Sequence, residues 1–141
     1  MRARVTRVGP LVVLGLLAVL NLARGAIHAF SPDGGARSIA GLDLSGNRQT
    51  ILSLFATLGL GQIVAGLFQL FVLVFRRDLI AIALGYQLAA TMAAVFNLYF
   101  YRVFPVQVPG APFNVAVLIV VALAFLLSLG AADRPTAGPA R

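Results

Sequence analysis

Apolar residues crowd into four runs, Gly9 to Ala29, Thr50 to Phe75, Leu79 to Tyr101 and Phe113 to Ala132, with polar residues between them. Each run holds about 20 residues or more, enough to cross a hydrocarbon core of about 30 Å at about 1.5 Å per residue. A chain in lipid must satisfy its own backbone N–H and C=O groups, so each run is expected to be a helix. The pattern therefore predicts an all-α fold, a four-helix transmembrane bundle. Residues 1–132 form one integral membrane domain, with helices at 9–29, 50–75, 79–101 and 113–132, and residues 133–141 form a disordered tail. Runs two and three part only at Arg76-Arg77-Asp78, a tight turn that makes them antiparallel neighbours. The longest connection, Phe30 to Gln49, contains the turn sequence Ser31-Pro32-Asp33-Gly34-Gly35, and Ser45 or Asn47 is placed to cap the second helix. Arg102 to Pro112 carries Pro105, Pro109 and Pro112 and is expected to be extended.

Composition agrees. The chain has 141 residues, 60% hydrophobic and 11% charged, which excludes an ordinary soluble enzyme and a disordered chain. The net charge is +7; all eleven basic residues are Arg and all four acids are Asp. The arginines flank apolar runs rather than gathering in one segment, so anionic lipid headgroups are the expected partners and nucleic acid is not. Arg2, Arg4, Arg7, Arg76, Arg77, Arg134 and Arg141 fall on one side of the membrane, and Arg37, Arg48 and Arg102 on the other. The positive-inside rule then places both termini in the cytoplasm. Arg2, Arg4 and Arg7 ahead of Leu11 to Leu20 also fit a signal peptide, but the apolar run is long for one and no A-x-A site follows.

Polar residues inside the spans are costly, and they usually face a protein interior or a cavity. In the first run Asn21, Arg24 and His28 share an arc of about 60°, with Gly25 on the same side to admit a close neighbour. Arg24 lies near the outer end of its run, so it either faces the bundle or snorkels to the headgroups. The second run carries Gly59, Gln62, Gly66 and Gln69 on an arc of about 80°, and the third carries Gln87, Ala90, Thr91, Ala94, Asn97 and Tyr101 within about 120°. Both stripes read as packing seams of small residues and amides, with the wall of a polar cavity as the alternative. Gly59, Gly66 and Ala90 are expected to face other helices. Tyr99, Phe100, Tyr101 and Phe104 read as an interfacial aromatic belt. The fourth run has no polar residue between Asn114 and Ser128, so it is expected either to be the most lipid-exposed helix or to pack by shape alone. The polar groups of three helices are expected to meet in the outer half of the membrane. There Asp33 and Asp43 are the acids positioned to neutralise Arg24. The candidate polar site is Asn21, Arg24, His28, Asp33, Asp43, Gln62, Gln87, Thr91 and Asn97.

Much chemistry loses support. Without Cys there is no thiol catalysis or Cys-based metal site, and a lone His excludes a two-His metal pair within the chain. Ser–His–Asp and paired-carboxylate arrangements are not evident, so no catalytic residue, metal or cofactor is expected. No acid lies within a span, so a proton-coupled exporter of the small multidrug type lacks its carboxylate. The stretch Arg24-Gly25-Ala26-Ile27-His28-Ala29-Phe30-Ser31-Pro32-Asp33-Gly34-Gly35, continued by Ser38-Ile39-Ala40-Gly41-Leu42-Asp43, resembles an uncharacterised family of small bacterial four-helix inner-membrane proteins. That resemblance, which extends more loosely to Gly61-Gln62 and Arg76-Arg77, implies a multi-pass protein of the inner (plasma) membrane and supplies no reaction. The resulting expectation is a non-enzymatic helix-packing protein. It packs with itself or another membrane protein, with an anionic lipid or solute as candidate ligand at its outer face. The alternative is a small transporter or permease component with a polar pocket around Arg24.

Overall fold

A computed structural model of the chain describes the backbone of residues 2–101 and 109–132 and the side chains of 8–101 and 109–130. Four helices are present: α1 (Arg2–Phe30), α2 (Arg48–Phe75), α3 (Ile80–Phe96) and α4 (Ala111–Ala132). A 3₁₀ turn, Arg77–Leu79, joins α2 to α3, and a π-helical turn, Asn97–Tyr101, extends α3. Val8–Phe30, Arg48–Phe75, Arg77–Tyr101 and Ala111–Gly130 are each long and apolar enough to cross a membrane. The four-helix expectation is met, with α1 running back to Arg2. The expected tail, with Arg134 and Arg141, and the segment from Arg102 to Pro105 with Phe104, lie outside the described residues.

Pro112 does not extend the connection; it lies in the first turn of α4. A proline is tolerated there because its missing N–H belongs to the unpaired set at any helix start. Asn47 occupies the cap position of α2, but its side chain makes no capping bond. The Ser45 hydroxyl instead donates to Asp43 at 2.7 Å.

The bundle pairs α1 chiefly with α2, and α3 chiefly with α4, while α1 also packs on α4. Although α2 and α3 are joined by a tight turn, they touch only locally, as where Phe68 meets Tyr86 edge to face at 6.5 Å. The reason is the seam on α2. Gly59 and Gly66 are buried against α1, and a methyl group on Gly59 would lie 2.6 Å from the Ala29 nitrogen and 2.7 Å from the Gly25 carbonyl oxygen. Small residues let two helix backbones touch, and this contact outcompetes the sequence neighbour. Ala90, expected on a seam, is exposed. It sits one residue before Thr91, about 100° away from the buried position.

The apolar core lies towards the α2–α3 turn: Leu14, Leu17, Val72, Ala83, Leu84, Val121 and Ala124. Of the two alternatives for α4, greatest exposure is not met: α4 is no more exposed than α3. Val121, Ala124 and Ser128 are buried, and Asn114 bonds to α1. Beyond this core, towards the α1–α2 connection, come the polar groups.

Candidate functional site: an amide cluster beneath a basic cleft

The first polar layer joins three helices. Asn21 on α1 donates from Nδ2 to Gln69 Oε1 on α2 at 3.0 Å and to Gln87 Oε1 on α3 at 2.9 Å. Gln69 Nε2 donates to the same Gln87 oxygen at 2.7 Å. Gln87 Nε2 donates to Thr91 Oγ1 at 3.1 Å, and the Thr91 hydroxyl donates to the Gln87 carbonyl at 2.8 Å. Two hydrogens on Asn21 Nδ2 and two lone pairs on Gln87 Oε1 make these bonds mutually compatible. Gln69 is fully buried.

Asn21, Gln87 and Thr91 of the candidate site thus come together. Gln69 was missing from the candidate site, although its stripe with Gly59, Gln62 and Gly66 was the available signal. Gln62 does not join: its Oε1 is buried and accepts no hydrogen bond. Asn97 does not join either. It opens the π-helical turn and is exposed, because six residues beyond Thr91 put it about 120° around the helix.

The second layer begins one turn nearer the loop. Arg24 Nη1 donates to Asn114 Oδ1 of α4 at 3.3 Å. The expected neutralisation by Asp33 or Asp43 does not occur; among the described residues the one ion pair is Arg76–Asp78 at 2.8 Å. Both loop acids are committed locally. Asp33 accepts the backbone N–H of Gly35 at 3.0 Å and of Ser38 at 2.8 Å. Asp43 accepts the N–H and the hydroxyl of Ser45. An acid that satisfies its own turn has little left to offer a guanidinium elsewhere.

The loop is built to hold His28. Its Nδ1 donates to the Gly34 carbonyl at 2.6 Å, and its ring meets Phe55 of α2 edge to face at 5.3 Å. Gly34 and Gly35 have φ of +59° and +74°, a region that side chains disfavour, so this reversal suits glycine. One helical turn follows and closes at Gly41. There the Gly41 N–H donates to the Arg37 carbonyl and the Leu42 N–H to that of Ala36, while Ala36 and Ala40 are buried beneath.

Between α1, this loop and the start of α4 lies a cleft of ≈ 200 Å³ lined by Arg24, Ile27, His28, Ile39, Gly110 and Phe113. Among the described residues its lining holds two basic side chains and no acid. Its lining does not include Gln62, and the amide cluster lies deeper. The described residues contain no cluster of three or more His, Cys, Asp or Glu side chains that could hold a metal.

The Asp33 carboxyl is held down to about 2, first by the Gly35 N–H and then by that of Ser38, from an ordinary value of 3.8. A depressed carboxyl favours the ordered loop at pH above its ordinary value, and that contribution disappears as pH falls through about 2. A carbon-detected NMR titration should place the Asp33 midpoint near the lower value. Asp33→Asn should speed amide exchange at Gly35 and Ser38. An unshifted midpoint would refute the bonding scheme.

Nothing among protein-family models, curated proteins or solved structures matches this chain.

Proposed function

We propose that this chain is a non-enzymatic, multi-pass protein of a bacterial inner membrane, with both termini in the cytoplasm, whose outer-end cleft binds an anionic group from a lipid or a solute. The observation that carries the reading is Arg24. It is a cation in an apolar span, held by a neutral amide and opening on a cleft that also contains His28. A charge so placed is costly without a compensating anion, and both outer-loop acids are engaged elsewhere. The permease reading has less support: the cleft lining stops short of Gln62, and the interior beneath is filled by bonded amides.

The test is binding of sulfate and of phosphatidylglycerol to the purified protein. A hydrogen bond to a charged group is worth about 1.5–3 kcal/mol, so Arg24→Gln should weaken the bound anion by about tenfold to hundredfold. Arg24→Lys should recover part, since it keeps the charge and loses the planar fork. Equal binding of both anions by wild type and Arg24→Gln would refute the site.

Topology has its own test. Ser38 is exposed on the loop, and Thr136 belongs to the C-terminal segment. In intact cells an impermeant thiol reagent should label Ser38→Cys and spare Thr136→Cys; the reverse pattern would invert the orientation.

A further inference from the structure

We infer that the anion held at Arg24 is the headgroup phosphate of an anionic phospholipid, whose first acyl carbons lie on Ile27, Ile39 and Phe113. This rests on the cleft being an anion site and names its occupant.

The first ground is the composition of the walls. Beside Arg24 and His28 the lining among the described residues is Ile27, Ile39, Phe113 and Gly110. A free inorganic anion entering such a cleft gives up hydration on every side and regains polar contacts on one. A lipid phosphate presents charge to the arginine and hydrocarbon to the rest. The second ground is donor capacity. A guanidinium has five N–H donors, and Asn114 engages Arg24 through Nη1. Donors remain for two phosphate oxygens, the bidentate geometry that arginine favours.

Size and depth agree. A volume of ≈ 200 Å³ takes a phosphate and its immediate substituents but not a whole lipid, so the chains must leave along the protein surface. Ile27, Ile39 and Phe113 are 40%, 45% and 50% exposed, and so offer that surface. Arg24 precedes the end of α1 at Phe30 by six residues, which is about 9 Å of helix. Groups buried about 5–10 Å lie at the headgroup–acyl boundary. A lipid phosphate is already tethered there, so its binding is a local exchange at high effective concentration.

Native mass spectrometry in mild detergent tests this, with phosphatidylglycerol, phosphatidylcholine, glycerophosphate and sulfate as probes. Wild type should retain one phosphatidylglycerol in preference to phosphatidylcholine. Glycerophosphate, the same phosphate without chains, should bind at least about hundredfold more weakly. Ile39→Asn on the loop and Phe113→Ser should each weaken the lipid several-fold and leave glycerophosphate unchanged. These two side chains are half-exposed, so the comparison stands even if Arg24→Gln folds poorly. Glycerophosphate or sulfate binding as tightly as the lipid, or wall variants that retain it fully, would overturn the lipid assignment while leaving an anion site at Arg24. Binding of every probe unchanged in Arg24→Gln, verified as folded by circular dichroism, would remove the site and this inference with it.

Discussion

Gly59→Ala should destabilise the bundle by about 1–3 kcal/mol in an SDS unfolding titration, the range expected for overpacking a close contact. The added methyl would sit 2.6 Å from the Ala29 nitrogen, 2.7 Å from the Gly25 oxygen and 2.8 Å from the His28 Cβ. Two of those are backbone atoms, so no rotamer change relieves the clash and the helices must move apart. Gly25→Ala meets the same obstacle from the other side, 2.7 Å from the Gly59 oxygen and 2.9 Å from the Ile63 nitrogen. Gly66→Ala should cost less, because its nearest neighbour is the Leu22 side chain at 2.8 Å, with the Ala18 oxygen at 3.1 Å. Gly61 is the control: on the same helix, nothing lies within 4 Å of its would-be methyl. Gly61→Ala should be neutral or stabilising by up to about 1 kcal/mol through helix propensity. The Gly25→Ala, Gly59→Ala double variant should cost less than the sum, since one separation of the helices accommodates both methyls. Equal stability of Gly59→Ala and Gly61→Ala would show that α1 and α2 do not meet along this face.

The Gly59 contact also bears on binding. It fixes α2 against His28, whose ring rests on Phe55 and whose Nδ1 holds the Gly34 carbonyl. The loop in turn brings Ile39 to the cleft. A change at Gly59 should therefore weaken anion binding as well as stability, although the residue does not line the cleft.

The helices were legible because length and apolarity are local properties, read without knowing any neighbour. The shared face of Asn21, Arg24 and His28 was legible for the same reason. What each one meets was not, because about 60° of arc at a helix junction is enough to divide among neighbours. Asn21 turns to α2 and α3, Arg24 to α4, and His28 to the loop. The choice between Gln62 and Gln69 as the partner of Asn21 needed the register of α1 against α2. That register is set by Gly25 against Gly59 and Leu22 against Gly66, which puts Asn21 between the two glutamines in height. Side chains lean towards the N-terminus of their own helix. On antiparallel helices Asn21 and Gln69 therefore lean towards each other, while Gln62 leans away.

Gln69→Leu should cost about 1–3 kcal/mol, because it removes two interhelical bonds and leaves buried polar atoms of Asn21 and Gln87 with fewer partners. Interhelical hydrogen bonds in membranes contribute about 0.6 kcal/mol on average and about 1.7 at most, so most of a larger loss would come from the groups left behind. That distinction is measurable. If leaving groups unpaired is the main cost, replacing Asn21, Gln69 and Gln87 together by Leu removes the unpaired atoms along with the bonds. The triple variant should then be less destabilised than the sum of the three single variants, and close to Gln69→Leu alone. Its deficit should appear in specificity instead, since three amides that satisfy one another at a single register are replaced by side chains that pack at several. A Cβ on Gly15 would lie 3.8 Å from the Leu73 Cδ1 across α1 and α2, so cross-linking of Gly15→Cys with Leu73→Cys and with cysteines at neighbouring positions of α2 should favour a narrow set of positions in the wild-type background and spread over more of them in the triple variant. A triple variant that loses the full sum of the single costs would mean that the bonds themselves, rather than the avoidance of unpaired amides, hold the three helices together.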